Sequence, residues 1–564
     1  MRKPGSSLFL LSLFLLSYTF AAAQIDSSKF NRQRTYDVQH YKIAVRFDRA
    51  KRIVYGDAVI TLKPLTAGFR AAEFDAAGLA FESVKLENFG RELKYKTGTA
   101  KVSVEFDKSY GPDDLLSVRF VYSCRPKKGV YFVAEKKDRG KTVHSEQIWT
   151  QGEPDEARHW FPSYDFPDDK ATSELLITAQ TDETVISNGE LLEKRDNGDG
   201  TAVFHFKMPV PHSTYLTSFV IGKYSKTIDS YKNIPLGYYV YPGDEALVPL
   251  AFSDTKEMFR IFEEATGVPY PFNKYDQTIV DEFQFGGMEN VTATTYSDQE
   301  IFLARFPHLR GYTIDLVSHE LAHSWFGNLV TCRNWAELWL NEGFATYLEA
   351  VYRGKMYGES AYAAKIREDA NLYLTTDAVN NLRHGLFNQT ADQLDKLFRY
   401  PSITYNKGSV VVHLLRETVG EETFWQAVNV YLNRHKFGNV GTTDLRKAFE
   451  EVSEKNLEQF FRQWVYGVGH PKLAVEPIYS KGEKTLKLSV GQTQKGASVA
   501  DVFHFPLEVF IQTANGEKME KVFIDKKNQS FTVPLDAPPS NISLDKNGKL
   551  LLFEAKIGKV RVVN

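Results

Sequence analysis

His319-Glu320-Leu321-Ala322-His323 is the stretch of this sequence best equipped for chemistry. Two residues four apart share one face of a helix, so both imidazoles can reach one metal ion. Neutral imidazole is a good zinc ligand, and a catalytic zinc keeps one position for water. The metal lowers the pKa of that water, and a carboxylate takes its proton. His319 and His323 are therefore candidate metal ligands and Glu320 the candidate base. With 13 histidines in 564 residues, chance alone gives such a pattern in about one chain in fifty, so a third ligand matters. Glu342 stands 19 positions after His323. A helix, a connection and the start of a second helix bring its carboxylate onto the metal. Two His, one Glu and one water form a known catalytic zinc arrangement. The donor set also suits cobalt or manganese in vitro.

These residues need helices to hold them. Apolar residues at three- and four-residue spacings predict helices over 312–326 and 341–353, and also over 254–265, 407–418 and 442–452. Residues 226–470 read as a mainly helical domain with a short strand region near 278–295. Before it, a mostly period-two pattern at 41–47, 58–62, 102–106 and 203–208 predicts strands with one buried face. Residues 24–225 read as an all-β domain. From Pro471 onward the strand pattern returns, and 485–490, 507–511, 522–524 and 550–553 read as strands, with Asn515-Gly516 and Asn547-Gly548 as hairpin cues. Residues 471–564 read as a β-sandwich. The fold class is a multidomain α+β protein.

Composition narrows the function. The chain is 43% hydrophobic and 25% charged, which excludes wholesale disorder and a polytopic membrane protein. Lys and Arg number 69 against 71 Asp and Glu, a net charge of -2. No basic excess supports nucleic-acid binding. The two cysteines, Cys124 and Cys332, exclude a disulfide framework and a thiolate zinc site. At the N-terminus, Arg2 and Lys3 precede a Leu/Phe run over 8–16 and then Ala21-Ala22-Ala23. That is the layout of a cleavable signal peptide, 1–23, and the run is too short to span a membrane comfortably. The expectation is a protein exported to the periplasm or the extracellular space, with no stable membrane anchor.

Further motifs resemble one family. His319-Glu320-x-x-His323 with Glu342 looks like the gluzincin pattern, and Gly286-Gly287-Met288-Glu289-Asn290 resembles the exopeptidase motif of the M1 zinc aminopeptidases. The second position of that motif is more often Ala in the family. Thr150-Gln151-Gly152-Glu153-Pro154 and Tyr405-Asn406-Lys407-Gly408 resemble two more of its motifs. The resemblance covers roughly residues 35 to 560, in the family's order.

It implies an N-terminal saddle of strands, a thermolysin-like zinc domain and a C-terminal β-sandwich, in a short form without the C-terminal helical domain of longer members. It implies one Zn2+ per chain and peptide substrates with a free N-terminus. Glu289 and Glu153 match carboxylates that bind the substrate α-amine, which makes physical sense because two buried anions are relieved by one ammonium. Gly286, Gly287 and Met288 match the substrate-binding loop, where missing Cβ atoms allow close backbone approach. Tyr405 matches the phenol that hydrogen-bonds the developing oxyanion. Hydrolysis of a lipid epoxide and zinc endopeptidase activity stand as alternatives. Asp315 and Glu349 share helix faces with the ligands; each fits equally an orienting partner and an ordinary solvated acid.

Overall fold

The computed structural model describes residues 28–380, 384–496 and 499–564. The signal peptide expected over 1–23 lies outside these residues. The first alternating stretches build an eight-stranded sheet with Tyr36–Asp48 near its centre. That strand runs parallel to Ala171–Gln180, with Ile43 opposite Leu175, and antiparallel to Ile53–Pro64, with Ile43 opposite Ala58. Along Ile53–Pro64, Ala58, Ile60 and Leu62 are buried while Asp57, Val59 and Thr61 are half-buried. This is the period-two pattern that one-sided packing imposes. A four-stranded, a three-stranded and a two-stranded sheet (Lys136–Asp138 with Lys141–His144) complete the N-terminal all-β region among the described residues. Its core runs from Tyr36 to Ile221.

The middle region opens with a five-stranded sheet ordered Ser225–Tyr231, Ile234–Val240, Tyr275–Val280, Ala293–Ser297, Gly287–Met288. Gly287–Met288 forms its edge, paired antiparallel with Ala293–Ser297, and packs against the helix Arg310–Ala322. Helices then dominate. Those predicted from periodicity appear as Thr255–Thr266, Arg310–Ala322, Trp339–Tyr357, Gly408–Val419 and Thr442–Ser453. Two more long helices, Glu359–Asn380 and Glu421–Arg434, carry no such prediction.

The C-terminal strands form a five-stranded and a three-stranded sheet. Phe505–Thr513 and Gly516–Ile524 form a hairpin as expected, with Ala514-Asn515 as its turn and Gly516 opening the second strand. Residues 550–553, expected as a strand, are not one. Leu551 has a φ of 58°, a left-handed backbone incompatible with a strand, and Glu554–Ile557 pairs with Lys472–Ser480 instead. One continuous core joins the helices to these strands, from Phe259 and Trp325 to Leu488 and Leu507. Cys124 and Cys332 are free and buried. Among the described residues no helix is long and apolar enough to cross a membrane.

Candidate active site

The helix Arg310–Ala322 carries His319 and Glu320, and His323 keeps helical backbone angles at its end (φ -57°, ψ -21°). The two imidazoles therefore rise on one face, ring centres 4.7 Å apart. Glu342 lies in the first turn of Trp339–Tyr357. Its Oε2 is 3.3 Å from His319 Nε2 and 3.4 Å from His323 Nε2. Ligands about 2.0–2.1 Å from a tetrahedral metal lie about 3.3 Å from each other, so this spacing fits zinc. The second ring nitrogens are committed elsewhere. His319 Nδ1 donates to Glu349 Oε1 at 2.8 Å, and His323 Nδ1 donates to the Phe326 carbonyl at 2.9 Å. Both bonds fix the tautomer that leaves Nε2 free to ligate. All three ligands are buried. Burial alone would raise the Glu342 carboxyl, but the rings of His323 and His319 hold it down at about 2.

Glu320 is buried and its Oε2 has no hydrogen-bond partner. Burial pushes its carboxyl up to about 8, with Glu289 and Glu342 adding to the rise and the two imidazoles opposing it. An uncompensated carboxylate beside a metal site is what a proton acceptor requires. Gly287 borders it closely. A Cβ at 287 would overlap Glu320 Oε1 and lie 2.5 Å from its carboxyl carbon. The missing side chain thus makes room for Glu320, a role the sequence reading gave to substrate approach. Gly286 turns the strand with a φ of 76°.

Glu289 follows Met288 off the edge strand. Asn328 Nδ2 donates to its carbonyl at 2.8 Å, and Tyr215 donates to its Oε1 at 3.4 Å. One oxygen each from Glu289 and Glu320 and one nitrogen of His323 lie within 4.8 Å of one another. Glu153 enters from the N-terminal region, just after the strand Gln147–Thr150. Its Oε1 is buried without a partner. Burial, then the charge of Glu289, pushes the Glu153 carboxyl well above the usual range. Met288 is buried, with Gln151 Nε2 3.3 Å from its sulfur.

Tyr405 sits on the π-helical turn Ile403–Lys407. Its ring stacks on His319, with centres 5.9 Å apart and planes inclined by 18°. Every site residue expected from the sequence lines one cleft of about 670 Å³. The two acids left open resolve differently. Glu349 orients His319, whereas Asp315 forms an ion pair with Arg353, at 2.8 Å through Nε. Sequence reasoning missed Lys365 and Asp369, which also line the cleft, and gave no role to Asn406 beyond its place in the Tyr405 motif. The only signal was the four-residue spacing of Lys365 and Asp369.

The same residues fall within two matched families. The Peptidase family M1 domain matches residues 250–464, and the Peptidase M1 N-terminal domain matches 37–216. Aminopeptidase N of Streptomyces lividans is 37% identical over 337 residues, 57% of this chain and 38% of that protein. Alanine/arginine aminopeptidase of Saccharomyces cerevisiae is 26% identical over 555 residues, 92% of this chain and 63% of that protein. Glutamyl aminopeptidase of Bos taurus is 30% identical over 353 residues, 60% of this chain and 36% of that protein. The chain thus spans between 36% and 63% of the length of these relatives. The N-terminal match carries Glu153, the other carries the His319–His323 pair, Glu342 and Tyr405, and on these two matches in sequence order the chain belongs to peptidase family M1.

Proposed function

We propose that the chain is a zinc aminopeptidase that removes the N-terminal residue from peptides. The observation that carries this reading is the pair of buried carboxylates, Glu153 and Glu289, beside the His319–His323–Glu342 triad. Two anions placed there suit a cation, and the α-ammonium of a peptide is the cation whose position defines the first bond. A zinc ion held by the triad supplies a Lewis acid and acidifies water. Glu320 accepts a proton during attack on the scissile carbonyl and returns it to the leaving amine. Tyr405 donates its hydroxyl to the oxygen that gains charge. Glu153 and Glu289 hold the ammonium and set the register at one residue. The names of the relatives support the same activity.

The finer architecture is part of the reading. The eight-stranded sheet corresponds to the family's saddle, the helical region to a thermolysin-like domain, and the two C-terminal sheets, which share one core, to a β-sandwich. The basic, apolar and small-residue segments over 1–23 support export. N-terminal sequencing of the exported chain is expected to begin at Gln24, and a chain starting at Met1 would contradict it.

The decisive assay compares a free aminoacyl anilide with its N-acetylated form, with and without a chelator. Turnover of the free anilide alone, lost on chelation and restored by zinc, is the expected result. Equal cleavage of the blocked anilide overturns the reading.

A further inference from the structure

Behind the metal triad lies a second layer of buried charge. Glu349 accepts from His319 Nδ1 with one oxygen, and its other oxygen is 3.0 Å from Lys365 Nζ. The same ammonium is 2.7 Å from Asp369 Oδ1. Asp369 then takes two further hydrogen bonds, from Asn406 Nδ2 at 2.9 Å and from Ser409 Oγ at 2.8 Å. Asn406 adjoins Tyr405 in the π-helical turn, and Ser409 lies in the first turn of the helix that follows, Gly408–Val419. Lys365 and Asp369 are 5% and 1% exposed. They stand four residues apart on one face of Glu359–Asn380.

One ammonium thus joins two chains of contacts. One leads through Glu349 to a metal ligand. The other leads through Asp369 to the turn that presents Tyr405. Packing alone does not call for such a group, because well-packed apolar side chains of similar volume are often as stable as a buried ion pair. Apolar side chains would not supply two aimed carboxylates. A π-helical turn is also a costly conformation that often marks a functional position.

We propose that Lys365 is a positioning residue for both halves of the site, fixing the His319 ring through Glu349 and the Tyr405 turn through Asp369. The first half concerns metal binding alone; the second rests on the aminopeptidase reading. Three substitutions in the full chain separate the arms. Glu349→Gln should weaken zinc binding about 10- to 100-fold, the usual effect of losing a ligand's orienting partner. Asp369→Asn should leave zinc affinity within about threefold and KM within about twofold, while kcat falls about tenfold or more through a misplaced oxyanion donor. Lys365→Met should do both, and Lys365→Arg, which keeps the charge, should recover about tenfold of the zinc affinity lost.

Zinc affinity is read by competition with a chromophoric chelator, kcat and KM with an aminoacyl anilide, and folding by near-ultraviolet circular dichroism. The proposal is overturned if natively folded Lys365→Met changes zinc affinity or kcat by less than about threefold. It is also overturned if Asp369→Asn weakens zinc as much as Glu349→Gln does. If Lys365→Met lacks the native spectrum, Glu349→Gln and Asp369→Asn decide by the limits set for each, and a miss by either overturns the proposal. A wild-type chain that binds zinc but turns over no anilide refutes the functional reading and leaves the zinc arm to judge Lys365.

Discussion

Replacing Glu289 by Gln removes one charge of the proposed amine clamp while keeping its shape. Glu289 is 3% exposed and Glu153 6%, so a bound ammonium would be screened little by water. Among the described residues no Lys or Arg forms an ion pair with either carboxylate, and Glu153 Oε1 has no partner at all. Truncating one member of such a buried charge pair costs about 2–5 kcal/mol. The lower figure corresponds to a loss in kcat/KM of about 30-fold. Loss alone proves little, because Glu289 also borders Glu320 and His323. A double-mutant cycle with the substrate isolates the contact. The assay uses an aminoacyl anilide and its α-hydroxy analogue, which carries no positive charge. Glu289→Gln should cost the amine substrate about 30-fold or more and the hydroxy analogue less than about threefold, a coupling near 1.4 kcal/mol at the least. Equal losses on the two substrates would mean that Glu289 does not read the amine, and the clamp would have to be abandoned.

Glu320→Gln should retain zinc by metal analysis and lose about a hundredfold or more in kcat, and near-normal turnover by that variant would rule out Glu320 as the base. Tyr405→Phe should lower kcat by about 100- to 1,000-fold with KM nearly unchanged, as expected for a donor that acts on charge formed in the transition state. His413 gives a pH effect on stability. Burial pushes its imidazole down to about 4, where Nδ1 accepts from Tyr362 and Nε2 donates to the Gly548 carbonyl. The unfolded chain takes up that proton near pH 6.5, so the stabilisation is complete above about 6.5 and is lost as pH falls towards about 4, on the order of 3 kcal/mol in all. Urea midpoints at pH 7 and 5 should differ less for His413→Gln than for wild type, and equal differences would exclude this source.

The inner site was legible because its chemistry is local. The His pair needs only helical spacing, and Glu342 needs only the start of the next helix. The orienting partners were not, because that choice is tertiary. Asp315 and Glu349 both share a face with a ligand, and the deciding fact is that Arg353 faces Asp315 whereas His319 Nδ1 faces Glu349. The helix Glu359–Asn380 escaped detection for a related reason. Its buried face runs through Tyr362, Lys365, Ile366, Asp369, Ala370 and Tyr373, while Leu372 is exposed. Two charges inside that face and a leucine outside it cancel the apolar stripe on which periodicity depends. The strand expected over 550–553 failed because an apolar run, here Leu550 to Phe553, carries no information on the left-handed backbone of Leu551.

The carboxylates of the cleft divide by what neutralises them. Asp315 is paired with Arg353, and Glu349 and Asp369 share Lys365. Among the described residues, Glu153, Glu289, Glu320 and Glu342 form no ion pair with a Lys or Arg; Glu342 meets only the two imidazoles. The protein's own cations thus settle Asp315, Glu349 and Asp369 and leave the inner four to be balanced from outside. A divalent metal on the triad and one ammonium on Glu153 and Glu289 supply three positive charges to those four carboxylates. Glu320 is then the carboxylate left over, and it is the one expected to take a proton during turnover. An N-acetylated peptide lacks the third charge and leaves two buried anions facing each other, which is a rejection mechanism as well as a binding one. The overall charge of -2 conceals this, because the proposed selectivity depends on which acids the chain leaves unpaired.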